Sequence, residues 1–235
     1  MIRNFTVGDD VVEVLTGSGF ENLLKFTGFF GIHCHYLVQA FATKYNSNTQ
    51  SFILGQENAV KLYFGLRDIL QITGLPISGI PLVCQEARGE EIANEIFPNL
   101  VVHFEMKGFH LKTLRDIATL KASDKEFAHP LDIRVRATVL YLLGCLIFPD
   151  SSCTHVRAIY GYFVKDINKI SEYAWGEACL VEIHHSLSKF SSRNVSNEKY
   201  LIGSSMFALM VGHVQAPFRL RFLLSILLMV SGKLF

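Results

Sequence analysis

Histidine, cysteine and acidic residues lie close together at three places in the sequence, and these residue types could bind a metal ion or transfer protons. His33-Cys34-His35 is the densest group. Neighbouring residues on a helix point about 100° apart, so the thiol and both imidazoles cannot converge on one ion. Only His33 with a residue three or four positions later could do so, and Tyr36 and Leu37 are poor zinc ligands. We therefore expect no metal site here.

His103, Glu105 and His110 form the second group. On a strand His103 and Glu105 share one face, and a chain reversal at Gly108 would bring His110 back towards them. This set supports an alternative hypothesis, an aminotransferase-like or metal-dependent enzyme, and it predicts that the three side chains converge within about 3–4 Å of a common point. The interpretation that we favour is a short strand with an exposed polar face.

The remaining residues with chemical potential favour no known reaction. His184-His185 lies near Glu182, but the pair does not have the HExxH spacing of a zinc protease. Glycine-rich phosphate loops and a Gly-x-Ser-x-Gly nucleophile motif are absent from the sequence. Cys145 and Cys179 lie in apolar helical patterns, where a thiolate is disfavoured. We predict no catalytic residue, no cofactor and no metal, and so a protein that is not an enzyme.

Composition limits the class of protein further. Of the 235 residues, 50% are hydrophobic and 18% are charged, which favours a folded chain with a sizeable core. The net charge of +1 gives no overall attraction to nucleic acid or to anionic membranes. The five cysteines are scattered without a CxxC pair, which is typical of reduced thiols inside the cell.

Membrane insertion and nucleic-acid binding both receive little support. Asp9, Asp10 and Glu13 interrupt the start of the chain where a secretory signal needs an apolar run. The longest apolar runs, residues 138–148 and 222–230, are shorter than the roughly 18 residues of a membrane span. Basic residues cluster only weakly, at Arg134/Arg136, Lys189/Arg193 and Arg219/Arg221. Direct nucleic-acid binding is therefore a weakly supported hypothesis.

Residues 65–82 contain the clearest local element. Leu66, Ile69, Leu70 and Thr73 recur at helical spacing and predict one buried face. Gly74 follows as a left-handed C-cap, because glycine has no Cβ to clash there. Prolines at positions 76 and 81 then give a rigid exit, which we expect to fix how the amino-terminal elements meet the helices of residues 141–187.

The other patterns predict a mainly α fold, a single multi-helix globular domain over residues 1–235, with a small β-hairpin near residues 51–64. The predicted further helices cover residues 33–45, 111–122, 132–148, 155–164, 166–190 and 200–214. The helix 132–148 is the most apolar and should be central. In the helix 166–190 the residues predicted to face the core are Ile167, Ile170, Ala174, Ala178, Val181 and Leu187.

Two blocks of sequence resemble one known family. The first contains the extended piece SFIL, a turn with Glu57, and LRDILQITGLPISGIPL. The second contains YLLGCLIF and, after a spacer, SEYAWGEACLVEIHHSL. Both resemble the plant mobile domain, a family also labelled aminotransferase-like plant mobile domain or MAIN-like (maintenance of meristems). The positions that match the family pattern are Leu66, Asp68, Gly74, Leu75, Pro76, Ile77, Gly79, Tyr141, Gly144, Tyr173, Trp175 and Gly176.

These matching positions indicate architecture rather than chemistry. Glycine, proline and leucine cannot transfer protons or act as nucleophiles, and Trp175, the only tryptophan, is suited to anchoring a helix. Gly176 should let another helix approach closely. The label "aminotransferase-like" implies a pyridoxal phosphate lysine and a phosphate cup, and the sequence shows a recognisable pattern for neither.

The resemblance implies a nuclear plant protein related to transposon-encoded domains, acting in transposon silencing, genome stability and meristem maintenance. It also implies protein partners, among them a phosphatase-like protein. The match covers about residues 15–212. Residues 213–235 have no counterpart in the family pattern, and we expect an atypical tail produced by truncation or mis-splicing.

Overall fold

The computed structural model describes residues 5–25, 42–55, 59–83, 89–98, 104–105, 108–119, 129–150 and 154–191. The fold in this part of the chain is mainly α, as predicted. Its α-helices are α1 (Asp9–Leu15), α2 (Phe20–Lys25), α3 (Leu66–Thr73), α4 (Gly89–Ile96), α5 (Leu111–Ala118), α6 (Leu131–Leu142), α7 (Gly161–Val164) and α8 (Trp175–Ser191). Short 3-10 helices cover Ala158–Tyr160 and Ile167–Glu172, and a π-helical turn covers Leu143–Ile147.

Two small antiparallel sheets accompany the helices. In the first, β1 (Tyr45–Asn46), β2 (Ser51–Leu54) and β3 (Val60–Tyr63) lie in that order, with Phe52 opposite both Tyr45 and Leu62. In the second, β5 (Gly108–His110) lies between β4 (Phe104–Glu105) and β6 (His155–Arg157). The predicted hairpin near residues 51–64 is therefore confirmed as the pair β2–β3.

Helix α6 is the centre of the fold, as its apolar sequence predicts. Its wide apolar stripe must be covered by other elements, and α1, α2, α5 and α7 all pack against this helix. The buried residues of α6 are Ile133, Arg134, Val135, Ala137, Thr138, Val139, Leu140, Tyr141 and Leu142. The α-helical pattern widens into the π turn after Leu142, where the Phe148 N–H donates to the Leu143 carbonyl at 2.6 Å.

The start and stop of α3 agree with the prediction, but its buried face differs in part. The helix ends at Thr73, and Gly74 has the left-handed φ of 74°. Ile69 and Thr73 are buried as predicted, whereas Leu70 is 41% exposed. Ile72, which the spacing argument left out, is buried instead. The buried stripe of α3 therefore consists of Ile69, Ile72 and Thr73, at positions i, i+3 and i+4. It is rotated from the predicted stripe because this is the side of α3 that packs against α8.

Three predicted helices are wrong at least in part. Tyr45, the predicted end of a helix over 33–45, lies in strand β1, and residues 26–41 are outside the described residues. Residues 155–164 begin as strand β6, because they pair with β5. Residues 166–190 are a 3-10 helix and then α8, with Val181 62% exposed instead of buried.

The predicted bounds of a single domain, 1–235, remain a prediction. None of the helices in the part of the chain that the structure describes is long and apolar enough to cross a membrane. The predicted helix over 200–214 and the tail from 213 onwards lie outside the described residues.

Candidate functional site

Residues of the two matching sequence blocks meet where the exit from α3 crosses the start of α8. We call this place the motif junction and define it as residues 74–80 together with residues 172–176. Its two segments are joined by backbone hydrogen bonds: the Gly176 N–H donates to the Pro76 carbonyl at 2.7 Å, and the Ile80 N–H donates to the Glu172 carbonyl at 2.7 Å. The Ala174 N–H in turn donates to the Ile80 carbonyl at 3.0 Å.

These bonds explain why residues 166–190 do not form one helix. Ile80 pairs with Tyr173 in a short parallel bridge, so the backbone at positions 172–174 is extended enough to receive a neighbouring strand. The 3-10 helix ends at Glu172 and α8 begins at Trp175. The backbone N–H and C=O groups that would continue a helix through residues 172–176 are instead bonded to Pro76 and Ile80, which belong to the first sequence block.

The closest backbone contact of the motif junction is at Gly79. Its φ of 139° lies in the region that side chains with a Cβ rarely adopt. A Cβ placed on Gly79 would also overlap the carbonyl oxygen of Glu172. Glycine is therefore required twice at this position, for the dihedral angle and for the close backbone contact.

Gly176 has a related role, though not the predicted one. A Cβ at Gly176 would lie 2.9 Å from Cγ2 of Ile77 and 3.0 Å from the Pro76 carbonyl oxygen. The element that approaches it is thus the extended exit of α3 rather than another helix. The prediction that glycine permits a close approach holds, with a different neighbour.

Trp175 supplies the side-chain anchor of the junction. It is fully buried, and its indole Nε1–H donates to the Ile170 carbonyl at 2.7 Å. Phe20 meets the indole edge-on at 5.3 Å between ring centroids, and Tyr173 and Phe163 meet it at 5.9 Å and 6.1 Å. The polar end of the ring has its partner, and the apolar body is surrounded by aromatic rings.

The α3 side of the junction is fixed by polar and apolar contacts together. Asp68 accepts a hydrogen bond from the Gly65 N–H at 2.8 Å, which satisfies a donor at the start of the helix. At the other end, the Thr73 hydroxyl accepts from the Leu75 N–H at 3.1 Å. Leu75 is fully buried, while Leu66, Pro76 and Ile77 are half-buried.

Gly19 and Asn22, which the helical spacing did not indicate, contact the motif junction from the α1–α2 turn and from α2. A Cβ on Gly19 would lie 2.6 Å from the Gly74 carbonyl oxygen and 2.8 Å from Cα of Leu75. The Asn22 side chain lies directly beside Gly74. These contacts bring the α1–α2 turn onto the exit of α3. Two glycines close together, Gly17 and Gly19, were the available sequence signal.

The motif residues of the central helix lie elsewhere. Tyr141 is fully buried, with the Phe5 ring 4.4 Å from its own, and burial raises the pKa of its hydroxyl far above the ordinary range. A Cβ on Gly144 would lie 2.6 Å from Cδ2 of Leu111 and 2.7 Å from Cβ of Val156. Of the twelve motif positions, ten therefore lie on α3 or in the motif junction, and two, Tyr141 and Gly144, lie in or just after α6.

His110 and His155 make structural contacts with each other and with neighbouring groups. His110 Nδ1 accepts the Lys112 N–H at 3.2 Å and caps α5, and its ring lies 4.9 Å from that of His155. His103 and the side chain of Glu105 lie outside the described residues, so the alternative enzyme site with His110 remains a hypothesis. His33-Cys34-His35 lies outside them too. Within the described part, no three His, Cys, Asp or Glu side chains are grouped to hold a metal ion.

One ion pair supports the core from outside the motif. The guanidinium of Arg134, on α6, is buried and binds both carboxylate oxygens of Asp10 on α1. Its Nε also donates to the His129 carbonyl at 3.0 Å. The hydrogen bond from Arg134 lowers the pKa of Asp10 from its usual range, against the opposing effect of burial.

Comparison with known proteins agrees with the two sequence blocks. A family model described as plant mobile domain matches residues 20–220. Protein MAIN-LIKE 1 of Arabidopsis thaliana is 22% identical over 84% of this chain. Protein MAIN-LIKE 2 is 26% identical over 64% of the chain, and protein MAINTENANCE OF MERISTEMS is 23% identical over 68% of it, both from the same plant.

The chain spans a minor share of these relatives. The matched parts cover 39% of MAIN-LIKE 1, 22% of MAIN-LIKE 2 and 34% of MAINTENANCE OF MERISTEMS. No solved structure gives a significant match.

Proposed function

Since the chain belongs to the plant mobile domain family, we propose that it is a non-catalytic interaction module that acts in the plant nucleus. Its role on this proposal is genome maintenance, including transposon silencing, and through it the maintenance of meristems. The name of one relative, MAINTENANCE OF MERISTEMS, supports the last part. The partners that we propose are proteins, among them a phosphatase-like protein.

The observation that carries the non-catalytic part of the proposal is the use made of the motif residues. Pro76, Gly79 and Gly176 make backbone hydrogen bonds or close contacts with the backbone, and Trp175 and Tyr141 are fully buried. A family signature made of such residues supports a preserved shape, on which other residues can present a binding surface.

Affinity purification from fractionated plant nuclei tests this proposal. The tagged chain should be recovered in the nuclear fraction with a reproducible set of proteins that the tag alone does not bring down. A matched sample carrying Gly79→Ala should lose these proteins, because the junction that shapes the surface is disrupted. Recovery outside the nucleus contradicts the location, and a partner set no larger than that of the tag contradicts the interaction role.

Two further measurements on the purified chain separate the proposed function from direct nucleic-acid binding and from the metal-enzyme hypothesis. A gel shift that weakens steeply with salt would favour direct nucleic-acid binding. Bound zinc in stoichiometric amount, lost in His110→Ala, would favour the metal-enzyme hypothesis and contradict a non-catalytic role. We expect neither.

A further inference from the structure

Tyr45 on β1 and His184 on α8 meet where the first sheet packs against the long helix. The Tyr45 hydroxyl lies 2.7 Å from Nδ1 of His184, and the ring centroids are 5.8 Å apart. Tyr45 is buried, and its ring also packs on Phe52 in the neighbouring strand at 5.3 Å. The hydrogen bond therefore joins the sheet to α8 directly.

A second bond from the sheet reaches the same imidazole. The backbone of Phe64, just after β3, is hydrogen-bonded to the His184 ring. This bond favours the charged form of the ring, which identifies the Phe64 group as an accepting carbonyl. Because Tyr45 occupies Nδ1, the N–H that Phe64 accepts is on Nε2. The hydrogen-bond partners therefore assign the tautomer that carries its proton on Nε2. In this tautomer Nδ1 accepts a hydrogen bond from the Tyr45 hydroxyl. One neutral imidazole thus satisfies two parts of the sheet.

We propose that this contact is a protonation-sensitive clasp, which holds the sheet β1–β2–β3 against α8 while His184 is neutral and loosens the sheet when the ring gains a proton. A second ring proton turns Nδ1 from an acceptor into a donor. The Tyr45 hydroxyl must then reverse and find another acceptor. Ser188, one turn further along α8, already donates to that hydroxyl, so it must reverse as well.

Charged side chains of the sheet lie away from the imidazole. Successive residues of a strand point to opposite faces, and Lys44 directly precedes Tyr45. Lys61 is paired with Ile53, which is next to Phe52, the residue opposite Tyr45. Lys61 therefore lies on the face of the sheet turned away from α8, while Lys44 lies in the turn before β1.

The helices bring the other ionisable groups. On α8, Glu182 is half-buried and accepts from the Ser186 hydroxyl at 3.3 Å. On α3, which packs against α8, Asp68 is committed to the Gly65 N–H. The thiol of Cys179 on α8 is buried. The remaining ionisable residues of the two helices are exposed: Arg67, Glu177, His185 and Lys189.

Burial lowers the pKa of His184 from its ordinary value of 6.5, and the hydrogen bond to Phe64 opposes this effect. The closed clasp therefore binds fewer protons than the open one. The stability that the closed clasp gives to the packing of the sheet on α8 is complete at a pH above the ordinary pKa. It decreases as the pH falls from there towards the lowered pKa. Each unit by which the pKa is lowered changes the opening equilibrium by up to about tenfold.

Amide hydrogen exchange of the full chain at about pH 7.5 and about pH 5 tests the clasp, with rates corrected for intrinsic exchange. We expect the amides of β1, β2 and β3 to lose protection at the lower pH while those of α6 keep theirs. His184→Gln, which cannot be protonated, should remove this pH dependence. His185→Gln, at the exposed neighbouring position, should leave it as in the unmodified chain.

Three exchange results would overturn the proposal: sheet protection that does not depend on pH, an equal loss in α6, or loss of the pH dependence in His185→Gln. If His184→Gln does not fold, an NMR titration of the unmodified chain decides. A His184 that accepts at Nδ1 and titrates below 6.5 supports the clasp, and one that titrates at or above that value contradicts it.

Discussion

The two segments of the motif junction are joined by backbone hydrogen bonds, whereas the elements around α6 meet through buried side chains. A Cβ on Gly79 would meet the carbonyl oxygen of Glu172, while a Cβ on Gly144 would meet the side chains of Leu111 and Val156. Backbone can move only if the fold moves with it, but side chains can change rotamer. Equal changes in sequence should therefore cost more at the junction than in α6.

The largest effect should come from removing the anchor of the junction. Trp175→Ala deletes a fully buried indole and should lower the free energy of unfolding by about 3–5 kcal/mol. Trp175→Phe keeps an aromatic ring but leaves the Ile170 carbonyl without its donor, so its cost should be smaller, about 1–3 kcal/mol. Urea denaturation measures both. Equal values for the two variants would mean that the hydrogen bond, rather than the buried ring, holds the junction.

Gly79→Ala should be the next most damaging change, at about 3 kcal/mol, because strain in φ is added to the overlap with Glu172. Gly17→Ala is the matched control. Gly17 has a similarly positive φ of 83° but no atom within 4 Å of an added Cβ, so it should cost only about 1 kcal/mol. Denaturation curves in which the two variants coincide would show that the backbone contact adds nothing.

Gly74→Val tests the left-handed exit of α3. A β-branched side chain at φ 74° must also displace the side chain of Asn22, and we expect a cost above 1 kcal/mol, about 2 kcal/mol. The melting temperature should fall by roughly 4–8 °C. An unchanged melting temperature would show that the rigid exit does not fix the position of α3.

Gly144→Ala carries the comparison to the α6 region. The added methyl would lie 2.6 Å from the movable end of Leu111 and 2.7 Å from Cβ of Val156, which moves only with its strand. Because one of these two contacts can be relieved by a rotamer change, we expect a cost of about 1–2 kcal/mol, below that of Gly79→Ala. The same urea titration compares them. If Gly144→Ala proves the more costly of the two, the distinction between the regions is wrong.

The smallest effect concerns the ion pair that ties α1 to α6. Because Arg134 lowers the pKa of Asp10, the pair stabilises the fold above the ordinary value of 3.8 and loses this contribution as the pH falls through the lowered value. Asp10→Asn should therefore reduce the loss of melting temperature between about pH 6 and about pH 3. Asp9→Asn, at the exposed neighbouring position, is the control and should behave as the unmodified chain.

Sequence patterns predicted the elements whose cause is local. Gly74 ends α3 because of its own dihedral angle, and α6 is central because its own residues are apolar. The hairpin β2–β3 needs only neighbouring residues to form. In each case the residues that determine the element also lie within it.

The elements that the sequence did not reveal have distant causes. Strand β6 exists because β5 pairs with it, and the break before Trp175 exists because Ile80 bonds to Glu172 and Ala174. Helical spacing contains no information on these partners. The motif positions were identified as a set, but their division between the junction and α6 depends on the same distant contacts. Gly19 and the Tyr45–His184 bond were missed for this reason.

A double-mutant cycle between Ile77→Ala and Gly176→Ala tests most directly whether the two sequence blocks form one structural junction. An added Cβ at Gly176 would lie 2.9 Å from Cγ2 of Ile77, so Gly176→Ala should cost less when Ile77 is already truncated, by at least about 0.5 kcal/mol. The control cycle, Ile77→Ala with Gly144→Ala, should be additive within about 0.5 kcal/mol. If Gly176→Ala costs the same with and without Ile77, the blocks are not coupled and the junction does not hold the fold together.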